Sequence, residues 1–173
     1  MGIVIEPYKQ EWEVQFAQVR DNLQEILKGI PILSIEHVGS TSIPGFVAKP
    51  VLDIDIVVTP ETLPATRAAM ASAGYTDLGE RGVPDRYSFL QPGYEWDWER
   101  ERMKSGLGDH AKAGEMRRNT YVVLEGSIAL KNHRDLKRVL LEDEKLREEY
   151  RNVKKRMVEE ESRILTSTAE ART

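Results

Sequence analysis

The sequence predicts an α+β fold with additional helices at its C-terminal end, and three observations carry that prediction. Trp12, Phe16, Val19, Leu23, Ile26 and Leu27 recur at spacings of four, three, four, three and one, which is the buried stripe of a helix over 10–28. Val51 to Val58 alternates Leu52, Ile54, Ile56 and Val58 with Asp53 and Asp55, the period of a strand. Beyond Gly126 the helical period returns in two segments, 128–141 and 143–164, the second carrying Leu146, Tyr150, Val153, Met157 and Ile164 among charges.

A chain of 173 residues suffices for one folding unit, 1–173, with a core that needs no staples. Hydrophobic residues make up 40% and charged residues 31%, a balance that predicts an ordered domain. The absence of cysteine excludes disulfides and thiolate zinc sites. No apolar run approaches the roughly 18–20 residues of a membrane span. Residues 1–7 lack the basic and apolar regions of a secretory signal, so a cytoplasmic protein without a membrane partner is expected. The net charge of −4, from 29 acidic and 25 basic residues, argues against duplex nucleic acid as a partner. Arg117, Arg118, Lys131, His133, Arg134, Lys137 and Arg138 are locally basic but balanced by Glu142–Glu144, Glu148 and Glu149, a mixture that predicts solvated helix faces.

In chain order, Gly29 and Pro31 close the first helix, since glycine adopts the left-handed cap and proline cannot continue it. Trp12 and Phe16 are expected in the core. Ile32 to Val38 is the first strand, ending on His37, whose titration near neutrality makes it a candidate site residue. Pro50 biases Lys49 toward extended backbone and leads into the strand 51–58. Thr59-Pro60-Glu61 is expected to cap a helix running to about Ala73. Residues 75–78 and 86–91 read as strands around a turn-rich connector, 79–85. Tyr94, Trp96 and Trp98 alternate as in an edge strand or hairpin, and the glycine-dotted remainder to Arg118 reads as a mobile loop. Asn119 to Leu124 is a further strand with a turn at Glu125-Gly126, and residues 165–173 are expected to fray.

Two features point to chemistry. Side chains at i and i+2 of a strand share a face, roughly 6.5–7 Å apart. Asp53 and Asp55 therefore project together, which is unfavourable unless a cation lies between them, most often a divalent metal. Aspartate is also disfavoured in strands, so two in one strand call for a compensating reason. The second feature is the small, hydroxyl-rich loop Gly39-Ser40-Thr41-Ser42. It suits either a plain capping turn or, if a short helix starts there, a cradle of N–H groups for phosphate.

The run His37-Val38-Gly39-Ser40-Thr41-Ser42-Ile43-Pro44-Gly45, then Ala48-Lys49-Pro50 and Asp53-Ile54-Asp55-Ile56-Val57-Val58, resembles the GrpB family. The likeness extends through Gly82 to Phe89 and Leu146 to Tyr150 and covers most of residues 5–157. The family is similar to a branch of the nucleotidyltransferase superfamily, the DNA polymerase beta-like group, which implies a mixed β-sheet flanked by helices. It implies a metal-dependent transfer of a nucleoside monophosphate from an NTP to an acceptor, with Mg²⁺ or Mn²⁺ as cofactor. The alternative is a catalytically inactive module of the same fold that binds a nucleotide or another anion. The resemblance places Gly39 and Ser40 in the phosphate-binding turn and makes Asp53 and Asp55 catalytic metal ligands. Thr41, Ser42, Lys49 and Arg86 join the phosphate-binding set by their place in the motif. Superfamily members commonly use a third acid on a later strand, for which Glu125 and Asp97 are the candidates. Relatives often carry His-x-His where this chain has Asn119-Thr120-Tyr121. No motif specifies the acceptor or an oligomeric state.

Overall fold

The computed structural model describes residues 5–100, 102–105 and 115–170. Its elements are α1 (Glu11–Ile26), β1 (Ser34–Val38), β2 (Val51–Val58), α2 (Leu63–Ser72), β3 (Thr76–Asp77), β4 (Arg86–Leu90), β5 (Tyr94–Asp97), β6 (Arg102–Ser105), β7 (Arg117–Leu124), α3 (Ile128–Glu142) and α4 (Glu144–Glu170). Five strands form a mixed sheet in the order β1-β2-β7-β4-β3, with β2 and β7 parallel at its centre and the other pairs antiparallel. The predicted α+β architecture with a mixed sheet is present, and β5 and β6 form a separate hairpin.

The strand period divides β2 between two layers. Leu52, Ile54, Ile56 and Val58 are buried on one face with Trp12 and Leu23 of α1, Leu27 at its C-cap and Met70 of α2. A fully buried aliphatic side chain contributes about 1.5–3 kcal/mol, so this stripe fixes the register. The opposite face carries Asp53, Asp55 and Val57, and Val57 packs with Val123 and with Leu130 of α3. Helices thus cover both faces, and Asp55 lies fully buried under α3 while Asp53 stays half-buried at its edge.

Several local expectations change. The helix after β2 begins at Leu63 with Thr62 as its N-cap and Pro64 in its first turn, so Thr59-Pro60-Glu61 precede the helix instead of capping it. The strand expected at Asn119 begins two residues earlier, where buried Gln91 accepts from the Arg118 amide at 2.8 Å. Arg118 is itself buried, donating to the Tyr75 hydroxyl at 2.9 and 3.1 Å and pairing with Glu115 at 2.8 Å. α4 continues to Glu170, so residues 165–170, expected to fray, are helical; residues 171–173 and the expected loop at 106–114 lie outside the described residues. Among the described residues no helix is long and apolar enough to cross a membrane.

Candidate functional site

The site forms where β1 turns into β2. Gly39 has φ 73° and ψ −173°, a conformation essentially reserved for glycine. A Cβ there would lie closer than 3.0 Å to Asp53 Oδ2, so the missing side chain is what lets the turn meet the carboxylate. The turn is a three-residue 3-10 segment, Ser40–Ser42, not the start of an α-helix. Its hydroxyls diverge. Ser42 Oγ donates to the Gly39 carbonyl at 2.6 Å, Thr41 Oγ1 pairs with His37 Nε2 at 2.9 Å, and Ser40 Oγ accepts from Lys154 of α4. Of the three, only the Ser40 hydroxyl is engaged from the cleft side.

The parallel pairing of β2 with β7 sets Asn119 beside Asp53 and Tyr121 beside Asp55. Asn119 Nδ2 donates to Asp53 Oδ1 at 3.0 Å. Burial raises the Asp53 pKa against the lowering effects of Asn119 and His133. Asp55 is 0% exposed; one oxygen meets His133 Nδ1 at 2.7 Å, and Oδ1 has no hydrogen-bond partner among the described residues. The bond to Asp55 raises the His133 pKa. Tyr121 is pushed up to about 12, mainly by burial and then by Asp53.

Two helices bring cations over these groups. α3 is anchored to β1 by Arg134, which donates to both Glu36 oxygens at 2.9 and 2.6 Å and lowers the Glu36 pKa. On the same helix Lys137 donates to the His37 carbonyl at 2.7 Å. α4 turns back because Arg147 caps the end of α3 through the Leu140 and Leu141 carbonyls, at 2.7 and 3.1 Å. Tyr150 then stacks on Phe46, and Lys154 reaches Ser40. Burial lowers the pKa of both Lys137 and Lys154.

Two cavities share Asp53, Ser40, Tyr150 and Lys154. One, of about 290 Å³, is walled by Gly39, Tyr121, His133 and Lys137. The other, of about 550 Å³, is lined by the polar Lys49, Asn119 and Arg117 and by the apolar Val153, Met157 and Val158. A third cavity, of about 320 Å³, adjoins through Asn119, Arg117 and Tyr121 and contains Arg86.

A family model described as GrpB protein matches residues 2–170. The chain belongs to the GrpB family. Curated relatives include UPF0157 protein YqkA of Bacillus subtilis, 36% identical over 87 residues, which are 50% of this chain and 25% of that protein. UPF0157 protein BH1888 of Halalkalibacterium halodurans is 37% identical over 76 residues, 43% of this chain and 38% of that protein. The chain therefore spans well under half the length of these curated relatives. The crystal structure of GrpB from Enterococcus faecalis superposes with a TM-score of 0.68 and 22% identity, covering 90% of this chain and 83% of that one, and shows the shared fold. The Cid1 poly(U) polymerase with MgGTP bound gives a TM-score of 0.49 at 13% identity, over 82% of this chain and 41% of that one, a distance at which likeness carries no argument.

In this GrpB chain the expected site residues separate. Ser40 and Asp53 line both of the first two cavities, Gly39 the first and Lys49 the second, while Asp55 lies fully buried behind them against His133. Arg86 lies one strand further, its guanidinium 4.6 Å from the Tyr121 ring centroid. His37 is buried, stacked on Phe16 with centroids 4.7 Å apart and bonded to Thr41, so it braces the turn from behind. Neither third-acid candidate reaches the site. Glu125 follows Leu124, which pairs with Val58, five residues along β2 from Asp53 and roughly 16–17 Å away by strand rise. Asp97 belongs to the separate β5–β6 hairpin. The positions beside the aspartates are held by Asn119 and Tyr121.

Sequence reasoning missed His133, Lys137 and Lys154 by reading their helices as solvated. A signal existed: His133, Leu136, Lys137 and Leu140 keep the i, i+3, i+4, i+7 spacing of one helix face, and all four wall the first cavity. Asn119 and Tyr121 share a face by strand period just as Asp53 and Asp55 do.

Among the described residues no group of three or more His, Cys, Asp or Glu is placed to hold a metal ion. The donor set nevertheless fits one class of cation. Mg²⁺ is commonly held by one or two carboxylates with substrate phosphates and water supplying the rest, and hard oxygen donors suit Mn²⁺ as well. Asp53 and Asp55 are such a pair, with Asp55 Oδ1 a buried acceptor lacking a donor among the described residues.

Proposed function

We propose that the cleft binds a nucleoside triphosphate and transfers its nucleoside monophosphate to an acceptor hydroxyl. The observation that carries this reading is convergence. The Gly39-Ser40 turn, Asp53 and Lys154 meet at one cleft although they come from the β1–β2 connection, β2 and α4, and Asp55 lies buried directly behind Asp53 on the same strand face. The 550 Å³ cavity suits a nucleotide because Lys49 and Lys154 line it together with Asp53, while Tyr150, Val153 and Met157 offer apolar surface to a base.

In this reading Lys49 and Lys154 neutralise phosphate oxygens, and Ser40 orients them by hydrogen bonding. Asp53 and Asp55 would hold a divalent cation, which when bound supplies charge neutralisation across the phosphates and the attacking oxygen. Asn119 fixes the Asp53 carboxylate, and His133 fixes that of Asp55. The acceptor oxygen forms a bond to the α-phosphorus as the bond to the departing pyrophosphate breaks, and the acceptor's hydroxyl proton passes to solvent water.

Isothermal titration of ATP, GTP, CTP and UTP with and without Mg²⁺ tests the reading. Metal-dependent affinity is expected for wild type, reduced at least tenfold in Asp53→Asn and Asp55→Asn with the far-ultraviolet circular dichroism retained. Absence of metal-dependent binding for all four nucleotides would refute it. The occupation of the third-acid neighbourhood by Asn119 and Tyr121 favours a second reading, a module that binds nucleotide without turnover. Incubation with labelled NTP and hydroxyl acceptors separates the two, since product formation abolished by Asp53→Asn excludes the second.

A further inference from the structure

The 320 Å³ cavity beyond Asn119 differs in character from the cleft it joins. Every charged side chain in its wall is an arginine: Arg81, Arg86 and Arg117. Arg81 lies over the Trp96 ring at 4.0 Å and Arg86 over the Tyr121 ring at 4.6 Å. A guanidinium stacked on an aromatic face keeps its N–H groups in plane and free for an oxyanion, at reduced cost in side-chain freedom. Neither Arg81 nor Arg86 has a carboxylate partner among the described residues. The half-buried Arg86 has its Nε, and Trp96 its Nε1, buried without a hydrogen-bond acceptor among the described residues. Cations and donors left unpaired beside a cavity are costly unless a ligand completes them.

The backbone supports the same assignment. Arg81 sits at φ 50°, a left-handed conformation that costs a non-glycine residue on the order of 1 kcal/mol, and it is from this position that its guanidinium covers Trp96. Register explains the link to the cleft. Arg86, Ser88 and Leu90 of β4 share a face with Asn119 and Tyr121 of β7, which share theirs with Asp53 and Asp55. The cavity and the carboxylates are thus neighbours on one continuous sheet face.

We propose that this cavity anchors the acceptor, a small hydroxylated molecule carrying an oxyanion, either carboxylate or phosphate, bound by Arg86 and Arg81 with its hydroxyl directed along the sheet toward Asp53. The inference rests on the nucleotide reading for the acceptor role. Its volume suits a small molecule, and its charge selects an anion.

Calorimetric titration of the full chain with glycerate, glycerol 3-phosphate and glycerol tests it, with MgATP titrated separately and in competition. At least one anion is expected to bind tenfold or more tightly than glycerol, and whichever binds identifies carboxylate or phosphate as the group recognised. Arg86→Gln should weaken that anion at least tenfold and exposed Arg81→Gln three- to tenfold, so the test survives if one variant folds poorly. No preference for either anion over glycerol, or no effect of both variants, overturns the site. Competition between the anion and MgATP overturns the acceptor role by placing both in one subsite. Anion binding that depends on Arg86 in a chain that binds no MgATP refutes the nucleotide reading and the acceptor role together, leaving an anion site. MgATP binding without anion binding refutes only the cavity.

Discussion

At the scale of single residues, Gly39 is where sequence and site geometry meet. Two separate penalties oppose any side chain there: its backbone region costs other residues about 1–3 kcal/mol, and a Cβ would displace the Asp53 carboxylate. Gly45 supplies the control, since it has φ 76° but open space where a Cβ would go. Gly39→Ala should therefore destabilise the fold by at least about 2 kcal/mol in urea and abolish nucleotide affinity, whereas Gly45→Ala should cost only about 1–2 kcal/mol and leave affinity intact. Equal effects of the two on affinity would show that Asp53 does not need the close approach. Asp53 and Asp55 were legible in the sequence because a strand period forces both to one face and the fold must then compensate them. Their compensation was not legible. His133 lies 78 residues from Asp55, and Lys154 lies 114 residues from Ser40, separations that local pattern cannot bridge.

At the scale of elements, α3 determines whether the aspartates are covered. Its N-cap is Ser127, whose Oγ accepts from the Leu130 amide at 3.2 Å and which is itself buried. Loss of such a cap costs typically about 1 kcal/mol. Ser127→Ala should lower stability by about that amount, read as the urea midpoint at unchanged m-value, and a change below about 0.3 kcal/mol would mean that packing of Leu130 and Leu140 alone holds the helix. Both C-terminal helices were readable from their apolar spacing. Their docking was not, because His133 and Lys137 occupy inward positions that composition assigns to solvent, and the bonds that turn this face in, His133 to Asp55, Lys137 to the His37 carbonyl and Arg134 to Glu36, are all tertiary. The β2 and β7 strands were likewise legible as strands, while their parallel pairing, which puts Asn119 beside Asp53, depends on the intervening chain and leaves no local mark.

At the scale of the whole molecule, His37 joins parts that are far apart in sequence. It stacks on Phe16 of α1, bonds Thr41 of the turn, and accepts Lys137 of α3 at its carbonyl. Burial lowers its pKa from 6.5 to about 4, with Lys137 adding to the decrease and Glu13 opposing it. The folded state therefore holds a neutral imidazole where the unfolded chain binds a proton. Above pH 6.5 neither state is protonated there and the full stability is present. As pH falls from 6.5 toward 4 the unfolded state alone gains the proton, and stability is lost at up to 1.36 kcal/mol per unit, or about 2–3 kcal/mol by pH 4.5. Below about pH 4 both states are protonated and the loss attributable to His37 levels off. His37→Gln removes this titration, so the stability difference between wild type and variant should shrink or reverse between pH 7 and pH 4.5. A difference that stays constant within about 0.5 kcal/mol over that range would mean that His37 is solvated enough to accept its proton without releasing α1 and the turn from α3.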